Sequence, residues 1–191
     1  MGGETRLMLF EQIKIKLKEK DYKKYIYEHR AAIADAFTEM VMCEELHYLW
    51  ENEEFYNKMV DRITEHDMSK FSKEEFDAYR KYYHPINEQE KEAAAQEFEL
   101  AWEHHKKVND HHWQHRKDFL DFTENTQLAI LENVCDWLAM GYVFGNRPYE
   151  YYEQHKDNIS LPEKDRTFLE MVIYALEKDI KSETYNYGKR K

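Results

Sequence analysis

Chain breakers are almost absent from this sequence, with 5 Gly and 3 Pro in 191 residues. Glycine costs a helix interior about 1 kcal/mol and proline about 3 kcal/mol. Long stretches lacking both can therefore run as helix, and the sequence predicts an all-α fold. Charged residues make up 35% and aromatics 15%, which suits helices with charged outer faces packed over a sizeable core. The length fits one domain over residues 1–191, expected to be a bundle of roughly six to eight helices.

The balance of charge narrows the partners. Lys and Arg number 28 against 39 Asp and Glu, a net charge of −11. Such a surface is poorly suited to gripping a nucleic-acid backbone over a broad area. A small anion would need bound metal to attract it. Cys43 and Cys135 make no disulfide framework and read as buried thiols. The apolar run from Leu7 to Phe10 is too short for a signal peptide and is followed by lysines. No stretch approaches a membrane span, so a cytoplasmic location and no membrane partner are expected.

Periodicity places the helices. Leu7, Phe10, Ile13 and Leu17 predict one helix over 5–19, and a second runs over 21–49 with His29, Ile33, Ala36, Phe37 and Met40 on one face. Phe55, Met59 and Ile63 mark a third over 53–64, which delivers His66-Asp67 at its end. Ser72 with Glu75 has the form of a capping box for a helix ending near Tyr83. His84 precedes Pro85 and reads as a loop residue. Asn87 with Glu90 opens a long helix carrying Trp102, His104, His105, Asn109, His111, His112 and Trp113. If that helix continues, His105, Asn109 and His112 share one face, and His104, His111 and His115 another. Thr123 to Gly141 is the next, with Leu128, Leu131, Cys135 and Leu138 as its apolar stripe and Glu132 and Asp136 four apart. Gly141 and Gly145-Asn146-Arg147-Pro148 read as loop, followed by a short tyrosine-rich helix. A last helix runs from Ser160-Leu161-Pro162-Glu163 to about 181.

The chemistry-bearing stretch is His66-Asp67-Met68-Ser69-Lys70. An adjacent imidazole and carboxylate can hold a divalent metal, and the carboxylate can bridge to a second. Ten histidines occur, six of them between His84 and His115. Each has a plainer reading: His29 as a satisfied core histidine, the later cluster as a solvated face. Glu132 and Asp136 lie within an apolar segment, where an ionised carboxylate needs a partner. That partner is either a basic side chain or a metal site.

Taken in order, His29, His66-Asp67, the histidines at 104–112 and Asp136 resemble the ligand pattern of the HD superfamily of metal-dependent phosphohydrolases. The match covers roughly residues 20–140. The form His66-Asp67-x-x-Lys70 with later His-His pairs is similar to the two-metal branch. The stretches Ala101-Trp102-x-x-His105-x-x-x-Asn109-x-His111-His112-Trp113 and Glu132-x-x-x-Asp136-Trp137 also resemble a family of small, functionally unassigned bacterial and phage proteins. The resemblance implies an HD-type bundle, with helices over 149–183 packed on the metal-site core. It implies His29, His66, Asp67 and Asp136 as core ligands, and His105 with His111 or His112 completing a second site. Lys70 would approach the substrate phosphate. Glu132 would hold a ligand histidine or shuttle a proton, and Asn109 and Arg147 would contact substrate.

No Gly-Tyr-Pro segment follows His111-His112, so cyclic dinucleotide specificity is not implied. Tyr25 stands where some relatives place an acidic ligand. The expected cofactor is one or two divalent ions among Mn, Fe, Co, Ni and Zn, and the expected substrate a nucleotide or other small phosphoester. A di-iron oxygenase and a metal-stabilised interaction protein are the other readings open at this stage.

Overall fold

The computed structural model describes residues 2–116 and 121–188, with side chains over 8–116 and 121–179. The Leu7 side chain and the tail Lys189-Arg190-Lys191 lie outside the described residues. Every regular element described is helical, as the scarcity of breakers predicts. The elements are α1 (Gly2–Met42), α2 (His47–Trp50), α3 (Glu53–Glu65), α4 (Phe76–Tyr83), α5 (Glu88–Val108), α6 (Trp113–Arg116), α7 (Glu124–Phe144), α8 (Pro148–His155) and α9 (Glu163–Gly188). Two 3-10 turns, Glu44–Leu46 and Met68–Phe71, complete the order.

The chain divides into two units. The first comprises residues up to 28 together with Asp67–Asn109, and the second His29–His66 with Asp110–Lys191. Each has its own apolar cluster. In the first, Tyr22 and Ile26 of α1 pack with Ala78 and Tyr79 of α4 and Ala101 of α5, against Phe71, Phe76, Phe98 and Trp102. In the second, Ile33, Phe37 and Met40 join Phe55, Met59 and Ile63 of α3, the α7 stripe, and Phe168, Leu169, Val172 and Ile173 of α9.

Local chemistry accounts for most boundaries. Asn52 caps α3 by accepting from the Phe55 N–H at 3.1 Å, and Asn87 caps α5 through Glu90 at 2.8 Å. Thr123 and Thr126 form a reciprocal box at the start of α7. Helix α7 is buried on nearly every side from Leu128 to Cys135, the signature of a central helix. No single described helix is long and apolar enough to cross a membrane.

Several boundaries differ from the sequence expectation. The helices expected at 5–19 and 21–49 are one helix, α1, because Glu19-Lys20-Asp21 offers no residue that stops it. It ends at Met42, where Cys43 turns extended and a 3-10 turn buries Leu46. On α1, Phe10, Ile13 and Leu17 are exposed rather than packed. Ser72 caps no α-helix: α4 starts at Phe76, and Glu75 uses its side chain elsewhere. Helix α5 stops at Val108, since Asn109 is extended at φ −112° and ψ 100°. The seven-residue register linking His105 with His112, and His104 with His111, therefore does not hold. Helix α7 runs through Gly141 to Phe144, and Gly145 closes it in the left-handed region at φ 75°. Helix α9 begins at Glu163 and reaches Gly188, beyond the expected 181.

Candidate metal centre

In the second unit, three helices aim histidines and carboxylates inward. The buried stripe of α3 (Phe55, Met59, Ile63) continues by one turn to His66, its C-cap residue, which is 1% exposed. His29 lies on the buried stripe of α1, between Ile26 and Ile33. Glu132 and Asp136 occupy successive turns of α7. His29 Nε2 stands 3.3 Å from Asp136 Oδ1, and the His29 and His66 rings are 5.4 Å apart. His29, His66 and Asp136 each offer a ligand atom, all within 4.8 Å of one another. Donors on one ion at about 2.1 Å stand no more than about 4.2 Å apart, so a small adjustment gives these three a shared ion.

A second group of the same unit shares His66. His66, His111 and Glu132 also bring ligand atoms within 4.8 Å. Glu132 Oε1 lies 2.8 Å from His66 Nδ1 and 3.2 Å from His111 Nδ1. A carboxylate only accepts, so each Nδ1 carries a proton, and in a neutral imidazole the lone pair is then on Nε2. Nε2 is then the atom presented to a metal. The other Glu132 oxygen accepts from Arg62 Nε at 2.8 Å, and Arg62 also pairs with Asp110. Burial pushes the Glu132 carboxyl upward, but the hydrogen bonds from His111 and His66 outweigh it and hold the group well below its ordinary value. The His112 ring lies tilted against His111, centre to centre at 4.2 Å.

The first unit contains a parallel arrangement. Asp67 is the one non-glycine described with a positive φ, 56°, and its carboxylate meets Lys70 Nζ at 2.5 Å and His105 Nε2 at 3.2 Å. Glu75, fully buried, holds two imidazoles as Glu132 does: His104 Nδ1 at 2.8 Å and His105 Nδ1 at 2.8 Å. Ser69 donates to Glu75 at 3.0 Å. Burial acts upward on Glu75, yet its bonds with His105, His104 and Ser69 lower it. Burial acts downward on His105, and its bonds to Asp67 and Glu75 prevail and raise it. Trp102 stacks on His105 at 5.7 Å.

The expected residues are thus distributed. His29, His66, Glu132, His111, His112 and Asp136 belong to the second unit, and Asp67, Lys70, His105 and Asn109 to the first. Asn109 donates to Ser69 Oγ and to the His105 carbonyl, both at 2.9 Å. Arg147, at the start of α8, pairs with Glu39 at 2.7 Å. Sequence reasoning missed Glu75, because a local capping box explained it, and Arg62, because a lone arginine on a charged helix carries no signal. Both cysteines are buried and free.

The profile of a family of unknown function, DUF5662, matches residues 18–179, a span that contains every residue of both clusters. No curated protein and no solved structure matches the chain.

Proposed function

We propose that the chain, which belongs to this family of unknown function, is a metal-dependent phosphohydrolase of the HD type, acting on a nucleotide or similar small phosphoester. One observation carries the reading. His29, His66 and Asp136 come from three distant points of the chain, and their ligand atoms converge to within 4.8 Å in a largely buried setting. That order of residues is the one that resembles the HD superfamily. Imidazole and carboxylate donors suit Mn, Fe, Co, Ni or Zn. When bound, such an ion supplies Lewis-acid polarisation of a phosphoryl oxygen and lowers the pKa of water.

The chain's own residues provide the remainder. Glu132 fixes the tautomer and orientation of His66 and His111 together, and Arg62 anchors Glu132 from its other oxygen. Asp67, the next residue after His66 in the sequence and part of the first unit, is a ligand on the strength of the resemblance alone. Lys70 holds a positive charge against it at 2.5 Å, suited to countering charge on a phosphoryl group.

Elemental analysis of the untagged protein, loaded in turn with Mn, Fe, Ni and Zn, tests the reading. One or two equivalents in the wild type, lost in His66→Ala, and turnover within a panel of nucleotides and phosphodiesters are expected. Absence of stoichiometric metal under every loading condition overturns it. Metal without turnover, but with an electron spin signal after aerobic iron loading, favours a di-iron oxygenase instead.

A further inference from the structure

The stretch of α1 before Tyr22 lies outside both apolar cores. Leu9, Ile13 and Leu17 are 57%, 46% and 56% exposed. Among the described residues, no side chain from 8 to 21 belongs to either apolar cluster. The three stand four apart on one continuous helix, and at 3.6 residues per turn they share an arc of roughly 80°. Phe10 is exposed beside them. Tyr22 and Ile26, which seat the same helix in the first unit's core, fall on the opposite side. Single exposed apolar side chains are ordinary, but a contiguous stripe of them marks an interaction surface.

Lysines surround this stripe. Lys16 borders it on one side and Lys14 on the other, Lys20 continues it past Leu17, and all three are exposed. Glu11 and Glu19 lie off it, toward the side of Tyr22 and Ile26. Residues 9–24 hold six lysines against three acidic residues, in a chain whose net charge is −11. A second copy of the chain is a poor occupant. Pairing through this face brings lysines against lysines, and four half-exposed side chains offer far less than the roughly 800 Å² per partner of a stable interface. An anionic lipid surface answers both features. The apolar stripe sinks among the acyl chains, and the lysine stems extend to bring their ammonium groups to the headgroup phosphates. The sequence pointed away from a membrane because no stretch is long enough to span one. A helix lying in the plane of the interface needs only one apolar face.

We infer that residues 9–20 of α1 form an in-plane anchor for an anionic lipid surface. The inference is independent of the hydrolase reading, and the apolar stripe precedes the span matched by the family profile, 18–179.

Co-sedimentation of the full chain with vesicles tests it, using phosphatidylcholine alone and equal parts phosphatidylcholine and phosphatidylglycerol. Binding at least about tenfold tighter to the mixed vesicles is expected, weakening as salt is raised. Ile13→Asp combined with Leu17→Asp should abolish binding and leave the melting temperature unchanged, since neither side chain belongs to a core. Lys16→Glu combined with Lys20→Glu keeps the stripe and should weaken binding about tenfold or more. If the aspartates lower the melting temperature, the lysine variant decides: unaltered binding there overturns the inference. A wild type that sediments with neither vesicle, or equally with both, overturns it as well. So does a concentration-dependent dimer in lipid-free sedimentation velocity that is lost in the aspartate variant, which assigns the face to a second copy.

Discussion

Glu132 is a single carboxylate with several buried obligations. It accepts from His66 and His111 on one oxygen and from Arg62 on the other. Glu132→Gln keeps the shape but loses the charge that orients both rings, and metal affinity is expected to fall about 10- to 100-fold in a chelator competition. Glu132→Ala also leaves Arg62 without one of its two anionic partners, and urea unfolding should show a loss of about 3 kcal/mol. Asp67 makes a different kind of demand, because its φ of 56° is a backbone state that aspartate and asparagine tolerate and β-branched residues do not. Asp67→Asn and Asp67→Val remove the same charge. The valine variant is nevertheless expected to be less stable by about 1–2 kcal/mol, a difference that belongs to the backbone.

At the level of elements, α7 is the scaffold of the second unit, packing against α3, α8 and α9. Its last turns depend on two glycines for opposite reasons. A Cβ on Gly141 would collide with the carbonyl oxygen of Asn146, whereas one on Gly145 would meet nothing but would sit at φ 75°. Gly141→Ala should therefore lose about 1–3 kcal/mol to overpacking, despite alanine's better helix propensity. Gly145→Ala should lose about 1 kcal/mol, from the backbone alone. Thermal melts of the two variants check both values. Sequence reasoning treated Gly141 as the end of the helix, since a glycine after an apolar stripe usually is one. The close approach of the 146 backbone, which makes glycine necessary inside the helix, has no local signature. The end of α5 at Val108 was hidden for the same reason. Lys106-Lys107-Val108-Asn109 contains nothing that must stop a helix, and Asn109 leaves it while bonding to Ser69 and the His105 carbonyl.

For the whole chain, metal occupancy and stability should be linked. An ion held only by the folded protein stabilises it by mass action, about 2.7 kcal/mol at a hundredfold excess over its Kd. Chelator treatment should lower the melting temperature of the wild type and leave His66→Ala unmoved. Equal shifts in both would place the bound metal elsewhere. The candidate ligands were legible in order because His29, His66-Asp67, the histidines at 104–112 and Asp136 are chemically conspicuous against an apolar and charged background. Their supporting residues were not. Glu75 satisfied a local rule for capping, and the fold used it instead for His104 and His105.

Helix content and most caps follow from the sequence by itself, because few breakers, a repeat near 3.6 residues and side chains such as Asn52, Asn87 and Thr123 act within a turn of where they stand. The same local physics put Phe55, Met59 and Ile63 on one stripe and carried it on to His66. Which imidazole meets which carboxylate was decided only by tertiary structure. A hydrogen bond between Glu132 and His66, or between Glu75 and His105, joins residues far apart in the chain. Its geometry exists only once the helices bearing them have packed, and no periodicity encodes it.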